Sequence, residues 1–169
     1  MDQNTDKNLE LADKLKLSLI KHKFKIILIS CAFVFISMIF LVMKIFQERE
    51  NLSISEKFIK ANIYLSSENK DKSKKLYEEI IQSKNKFYSI LALNTLLEKE
   101  LENNEDKIIN YFDILQDLSF PQEQKDLLIL KKALYLIKIL KTEEGEDLLR
   151  KLSNSNSYLK NISDQILEN

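Results

Sequence analysis

The segment Lys21–Phe46, KHKFKIILISCAFVFISMIFLVMKIF, contains 18 consecutive uncharged residues from Ile26 to Met43. At a rise of about 1.5 Å per residue, a helix of this length spans roughly 27 Å, close to the hydrocarbon thickness of a bilayer. A cleaved secretory signal has a shorter apolar core and a small-residue cleavage site after it, and no such site follows Met43. The segment therefore predicts a permanent transmembrane helix over residues 24–46.

Cys31, the only cysteine, follows Leu28-Ile29-Ser30, which resembles the apolar-small-Cys pattern in front of a lipidated cysteine. A match of four residues is a weak motif. Cleavage before Cys31 would also leave a mature chain beginning with an apolar segment where a polar tether is expected. We interpret Cys31 as a small apolar residue within the membrane helix, with lipidation as the alternative.

Basic residues are concentrated before the apolar segment. Close to its N-terminal end there are five lysines, and close to its C-terminal end there are fewer basic residues, mixed with acids: Lys14, Lys16, Lys21, Lys23 and Lys25 before, against Lys44, Arg49 and Lys57 after. The positive-inside rule then predicts a cytoplasmic tail over 1–23, with His22 as an interfacial polar residue. A short linker or helix extension over 47–53 would lead to a periplasmic domain over 54–169 of a bacterial inner-membrane protein.

The composition of the exported part excludes several functions. Residues 47–169 carry 19 Lys or Arg and 22 Asp or Glu, a formal charge of −3, which provides no basic surface for nucleic acid. That part has no His, no Cys and no Gly-rich phosphate loop, so we expect no catalytic site, metal, cofactor or small-molecule substrate. An enzyme of an unrecognised kind is the remaining alternative in this direction.

One Gly and one Pro in 169 residues, with abundant Leu, Ile, Lys and Glu, predict an all-α fold. The segment NKDKSKKLYEEI (69–80) recurs as NEDKIINYFDIL (104–115), at an offset of 35, and as TEEGEDLLRKL (142–152), at a further offset of 37. The repeat predicts buried large residues, namely Leu76, Tyr77, Phe112, Leu115 and Leu149. It places solvent-facing residues at Lys70, Lys72, Glu105 and Glu146.

Partner helices are predicted before each copy, over 54–66, 86–103 and 122–140, with Pro121 at the start of the last. Helix pairs that repeat at about 34 residues are typical of tetratricopeptide solenoids. The final segment, with Leu159, Ile162 and Ile166 on one face, would be a capping helix. The alternative is a helical bundle whose self-similarity is accidental.

Two longer segments extend this pattern: KFYSILALNTLLEKELENNEDK (86–107) and LSFPQEQKDLLILKKALYLIKILKTEEGEDLLRKL (118–152). With the short tail and the membrane helix, they resemble the tetratricopeptide-like ancillary subunit of the bacterial SecYEG translocon, the YfgM-like family, over nearly the whole chain. Tyr88, Ala92, Asn104–Asp106 and Pro121 occupy the places of its aromatic-small helix, acidic loop and Pro-led helix. Ser73 and Ile108 stand where that family usually has a small residue.

The resemblance implies a membrane-anchored protein-binding scaffold that works beside the translocon and periplasmic chaperones. A tethered tetratricopeptide adaptor for another envelope assembly complex is the alternative. The expected binding surface lies on the first helix of each pair, where polar and aromatic residues recur. The candidate protein-binding residues are Tyr64, Tyr88, Asn94, Lys131 and Tyr135.

Overall fold

The computed structural model describes residues 23–168, and over that range its only regular elements are helices. They are α1 (Lys23–Ser66), α2 (Lys70–Gln82), α3 (Lys86–Glu98), α4 (Glu105–Gln116), α5 (Gln122–Lys138), α6 (Thr142–Ser153) and α7 (Lys160–Leu167). The all-α prediction is confirmed. Residues 1–22 of the predicted cytoplasmic tail, including His22, and Asn169 lie outside the described residues.

The chain divides into two compact units, Met1–Glu50 and Asn51–Asn169. In the first unit the described apolar side chains of α1 face outward, and Phe33, Phe40 and Phe46 are each about two-thirds exposed. By length and composition α1 is able to cross a membrane. It is therefore a candidate membrane-spanning helix near the N-terminus, as the sequence predicted. Residues 47–53 are helical as well.

In the second unit, α2, α3 and α4 each begin after an asparagine. The side-chain oxygens of Asn69, Asn85 and Asn104 accept hydrogen bonds from backbone N–H groups in the first turn. For Asn104 the donor is Lys107 N, at 3.0 Å. Such a cap satisfies an N–H group that has no partner within the helix, which is why these helices begin where they do.

The same turn ends α1, α3 and α5. In each, a residue with positive φ follows the helix: Glu68 (φ 60°), Glu100 (φ 47°) and Leu140 (φ 65°). The next backbone N–H then bonds the carbonyl five residues earlier, as in Asn69 N to Tyr64 O at 2.9 Å. This is the Schellman geometry, in which glycine is usual at the left-handed position. Here three ordinary residues adopt it.

Small residues lie where consecutive helices approach each other. Ser73 of α2 is buried and its Oγ donates a hydrogen bond to Ala61 O of α1 at 2.9 Å. Gly145 of α6 lies so close to α5 that a Cβ added there would be 2.8 Å from Ala133 O. Ile108 is buried at the corresponding point of α4, where the connection from α3 is longer.

The apolar core has two parts. The larger is built from α1 to α4 with Leu128 of α5, and the smaller from α5, α6 and α7, around Ala133, Leu149 and Leu159. Tyr77, Phe112, Leu115 and Leu149 are fully buried and Leu76 is half-buried, which confirms the predicted interior face. Lys70, Lys72 and Glu105 are exposed as predicted, and Glu146 is half-buried.

Three predicted details are wrong. Helix α3 ends at Glu98 and not at 103, because Glu100 takes a left-handed conformation that a helix cannot continue through. Helix α5 likewise ends at Lys138 and not at 140, since Leu140 has positive φ. Ile162 is 45% exposed, and the small Ser163 beside it is buried in its place.

Candidate functional site

A groove separates α3 from α5, both of which pack against α4. Along the groove, residue numbers increase in the same direction on both helices, so α3 and α5 run parallel to each other beside it. We define the α3–α5 groove by Phe87, Ile90 and Asn94 on α3 and by Leu127, Lys131 and Leu134 on α5. Leu115 of α4 contributes to its floor.

The groove consists of three successive hollows. The first, of about 360 Å³, lies at the helix N-termini beside Phe87, Phe120 and Pro121. The second, of about 150 Å³, shares Ile90 and Gln124 with the first and continues to Asn94 and Lys131. The third, of about 420 Å³, lies at the C-terminal ends beside Leu97, Leu134 and Tyr135. The first two hollows therefore adjoin each other, and the third lies further along the same two helices.

Large apolar side chains along the groove are open to solvent. Phe87 is 64% exposed, Leu127 is 41% exposed and Leu134 is 44% exposed, although other faces of the same two helices are buried in the core. Exposed apolar residues that cluster in a concave surface, rather than singly, are typical of a binding site. The groove is therefore a candidate binding surface.

The structure brings two of the predicted candidates together. Lys131 Nζ donates a hydrogen bond to Asn94 Oδ1 at 2.8 Å, which links α5 to α3 across the second hollow. Both residues are half-buried. The ammonium group of Lys131 has three N–H donors, and the bond to Asn94 uses one of them, so the other two lie in a partly apolar environment. Asn94 and Lys131 are thus the polar centre of the groove.

Tyr135, a third candidate, lies one turn further along α5 and lines the third hollow. Its ring packs against Phe112 with a centroid distance of 6.0 Å. Burial raises the pKa of its hydroxyl, and the negative charges of Glu105 and Glu102 raise it further. Tyr135 is therefore a neutral hydrogen-bonding group at the acidic end of the groove.

Tyr88 and Tyr64 do not line any of these three hollows. The Tyr88 ring packs against Phe58 of α1, with centroids 5.6 Å apart, and belongs to the edge of the core. The Tyr64 ring lies near two ammonium groups, with Lys72 Nζ 5.4 Å from its centroid. These two tyrosines have local packing partners that explain their positions.

Sequence reasoning missed the apolar half of the groove, Phe87, Ile90, Leu127 and Leu134. The available signal was the segment FYSILALNTLL (87–97), which is apolar on nearly every face of a helix. One of its faces packs into the core through Ala92, Leu93 and Leu96. The apolar residues left over had to face either a further helix or a ligand.

A charged cluster stabilises the connection between α3 and α4 below the third hollow. The side chain of Glu102 is only 4% exposed, and Lys74 Nζ lies 2.9 Å from its Oε2, an ion pair without hydrogen-bond geometry. Burial raises the pKa of Glu102, but Lys74 and the N–H of Asn104 outweigh it and lower the pKa to about 2. Glu102 is therefore a carboxylate with a buried side chain that is ionised at neutral pH.

Glu78 extends the cluster by accepting a hydrogen bond from Tyr111 Oη at 2.9 Å. Lys107 Nζ lies within 3.5 Å of Glu78 and 3.3 Å of Glu102 and so bridges the two carboxylates. Burial, followed by the carboxylate of Glu78, raises the pKa of Tyr111. Every carboxylate here has a cationic partner within the protein, which is the arrangement of a structural network.

Among residues 23–168, no group of three or more His, Cys, Asp or Glu side chains is arranged to hold a metal ion. Together, the fold and the groove define an all-helical chain with a candidate membrane helix and an open apolar surface. The chain matches no family model, no curated protein and no solved structure.

Proposed function

We propose that this chain is a membrane-anchored, non-enzymatic protein-binding scaffold, with α1 as the anchor and the helices after it as a tetratricopeptide-like solenoid. Its binding surface is the α3–α5 groove. The resemblance of the sequence to the YfgM-like family supports a role as an ancillary subunit of the translocon, which assists emerging periplasmic proteins or their transfer to chaperones.

The observation that carries this proposal is the exposure of Phe87, Leu127 and Leu134 in three successive hollows between the same two helices. Solvent exposure of these side chains is unfavourable by about 25 cal/mol for each Å² of apolar surface, and a bound polypeptide removes that cost. Anchoring by α1 would confine the groove to the membrane surface and raise its effective concentration near partners there.

The repeated local geometry supports the solenoid. The Schellman turns at Glu68, Glu100 and Leu140 end α1, α3 and α5 with the same local geometry, and α2, α4 and α6 follow them. Helices α2 and α4 also contact each other, as the second helices of neighbouring repeats do. The stacking of hairpins then leaves the first helices, α3 and α5, side by side along the groove.

In-cell photocrosslinking tests the proposed partner. A photoreactive amino acid at Leu127, inside the groove, should capture translocon subunits or a periplasmic chaperone. The same group at Lys151, an exposed residue of α6 that lines none of the three hollows, is the matched control and should capture far less. Consistent capture of an unrelated assembly complex at Leu127, with no translocon subunit, would replace the translocon role by the adaptor role.

Protease accessibility tests the proposed topology. In spheroplasts, added protease should remove the residues beyond about 47 and leave the N-terminal tail intact, because the basic flank retains that tail in the cytoplasm. Release of the tail with protection of the C-terminal helices would reverse the orientation. A lipid-modified Cys31 detected by mass spectrometry would instead support the lipoprotein alternative.

A further inference from the structure

Lys131 has an unusual setting for a cation. It is half-buried in the second hollow, whose lining is otherwise apolar apart from Asn94 and Gln124. Its neighbour Lys132 pairs with Asp113, and Lys138 pairs with Glu100 at 3.1 Å. Within residues 23–168, by contrast, no carboxylate lies within ion-pair distance of Lys131.

A half-buried ammonium without a counter-charge has lost hydration that its single hydrogen bond to Asn94 replaces only in part. A carboxylate from a ligand would supply both the missing charge and further hydrogen-bond acceptors. Such charge-assisted hydrogen bonds are about twice as strong as neutral ones. The second hollow is therefore complementary to an anionic group beside apolar ones.

Charge is also distributed unevenly along the groove. The first two hollows are lined by two lysines, Lys86 and Lys131, and by no acidic residue. The third is lined by three glutamates and one lysine: Glu100, Glu102, Glu105 and Lys138. The formal charge of the lining thus changes from +2 to −2 toward the helix C-termini. Because Glu100 and Glu102 already pair with Lys138 and Lys74, the charge that remains for a ligand to neutralise in the second hollow is that of Lys131.

We propose, building on the scaffold function above, that the α3–α5 groove binds an internal, extended segment of a partner polypeptide in which large apolar side chains lie next to an Asp or Glu. The apolar side chains occupy the first two hollows, beside Phe87, Ile90 and Leu127, and the carboxylate binds Lys131. Hollows lie on both the N-terminal and the C-terminal side of Lys131, which favours the carboxylate of a side chain within a passing segment over that of a chain terminus.

Peptide binding to the full-length chain in nanodiscs of zwitterionic lipid tests this. Three fluorescent peptides with blocked ends share two Leu and one Phe and differ only in carrying Glu, Gln or Lys at one position. At low salt, fluorescence anisotropy should show the Glu peptide binding about tenfold more tightly than the Gln peptide, and the Lys peptide more weakly still.

Two variants assign the effect to Lys131. Lys131→Met keeps a long apolar side chain but removes the ammonium, so it should abolish the preference for Glu while retaining affinity for the Gln peptide. Lys125→Met is the matched control, because Lys125 lies on the same helix and lines none of the three hollows. That control should leave both affinities unchanged.

The outcomes separate this inference from the scaffold function. Equal binding of the Glu and Gln peptides, or a Glu preference that survives in Lys131→Met, would overturn the inference and leave the scaffold function standing. Failure of all three peptides to bind would overturn the inference, whereas photocrosslinking at Leu127 decides the scaffold function independently. A fourth peptide, the Gln peptide with a free C-terminus, tests the other source of a carboxylate, and tight binding of that peptide alone would refute an internal segment. Displacement of the Glu peptide by anionic lipid vesicles would overturn the inference and assign the site to a membrane surface.

Discussion

Replacement of Gly145 by Ala tests how closely α5 and α6 approach. In an isolated helix this change is favourable by about 1 kcal/mol, because Ala has the higher helix propensity. In this structure the new Cβ would lie 2.6 Å from Ile137 Cγ1, 2.8 Å from Ala133 O and 3.3 Å from Ile137 N. Two of these three atoms belong to the backbone of α5, so a side-chain rotation cannot relieve the overlap.

Overpacking of a core costs about 1–3 kcal/mol, and displacement of a helix backbone belongs at the upper end of that range. After subtraction of the propensity gain, we expect Gly145→Ala to lower the free energy of unfolding by about 1–2 kcal/mol. Urea unfolding of the full-length chain in mild detergent, followed by far-ultraviolet circular dichroism, measures this. Glu144→Ala, at an exposed position of the same helix, is the control and should stay within about 0.5 kcal/mol.

A double-mutant cycle separates the two sources of overlap. Ile137→Ala removes the side-chain contact but leaves Ala133 O in place, so Gly145→Ala should cost about 0.5–1 kcal/mol less in that background and still be destabilising. Net stabilisation by Gly145→Ala in the wild-type chain would refute the close approach, since propensity alone would then decide the outcome.

Three further changes test other parts of the structure by the same urea unfolding assay. Leu140→Gly should stabilise the fold by about 0.5–1 kcal/mol, because Leu140 has φ 65° and is 89% exposed, so little packing is lost; destabilisation would contradict the left-handed turn. The fold should lose up to about 3 kcal/mol of stability through protonation of Glu102 as pH falls from about 4.5 toward 2, because the pKa of Glu102 is lower in the folded than in the unfolded chain. A pH titration of the unfolding free energy, compared with that of Glu102→Gln, measures this loss, and parallel curves would refute it. Phe112→Ala should cost about 3–5 kcal/mol and Lys70→Ala less than about 0.5 kcal/mol, and equal effects would contradict the assigned helix faces.

Helix positions were predictable from sequence because their signals are local. Asn69 and Asn104 cap the N-termini of α2 and α4 with their side chains, and Pro121 directly precedes α5, so each of these residues marks the start of a helix in the sequence. The interior face followed from the repeated spacing of Tyr77 and Phe112, since residues on one side of a helix recur with its period. The apolar length of α1 was likewise visible in the sequence alone.

Features that depend on distant residues were not predictable. Glu102 lies in an acidic segment whose sequence predicts solvent exposure. The burial of the Glu102 side chain is favourable only because Lys74 of α2 forms an ion pair with it. The left-handed conformation of Glu100 carries no sequence signal, because glycine is absent there. The pairing of Asn94 with Lys131 joins residues 37 positions apart, and it exists only because both helices pack against α4.

The division of the core into two parts has a consequence for local unfolding. The smaller part, around Leu149, Leu152 and Leu159, involves far fewer buried side chains than the part that contains Tyr77 and Phe112. We therefore expect the C-terminal helices to open locally while α2 to α4 remain folded, at a free energy below that of global unfolding. Amide hydrogens of α6 should exchange with solvent sooner than those of α2 and α4. Helix α5, one wall of the groove, belongs to both parts of the core, because Leu128 packs in the larger and Ala133 in the smaller.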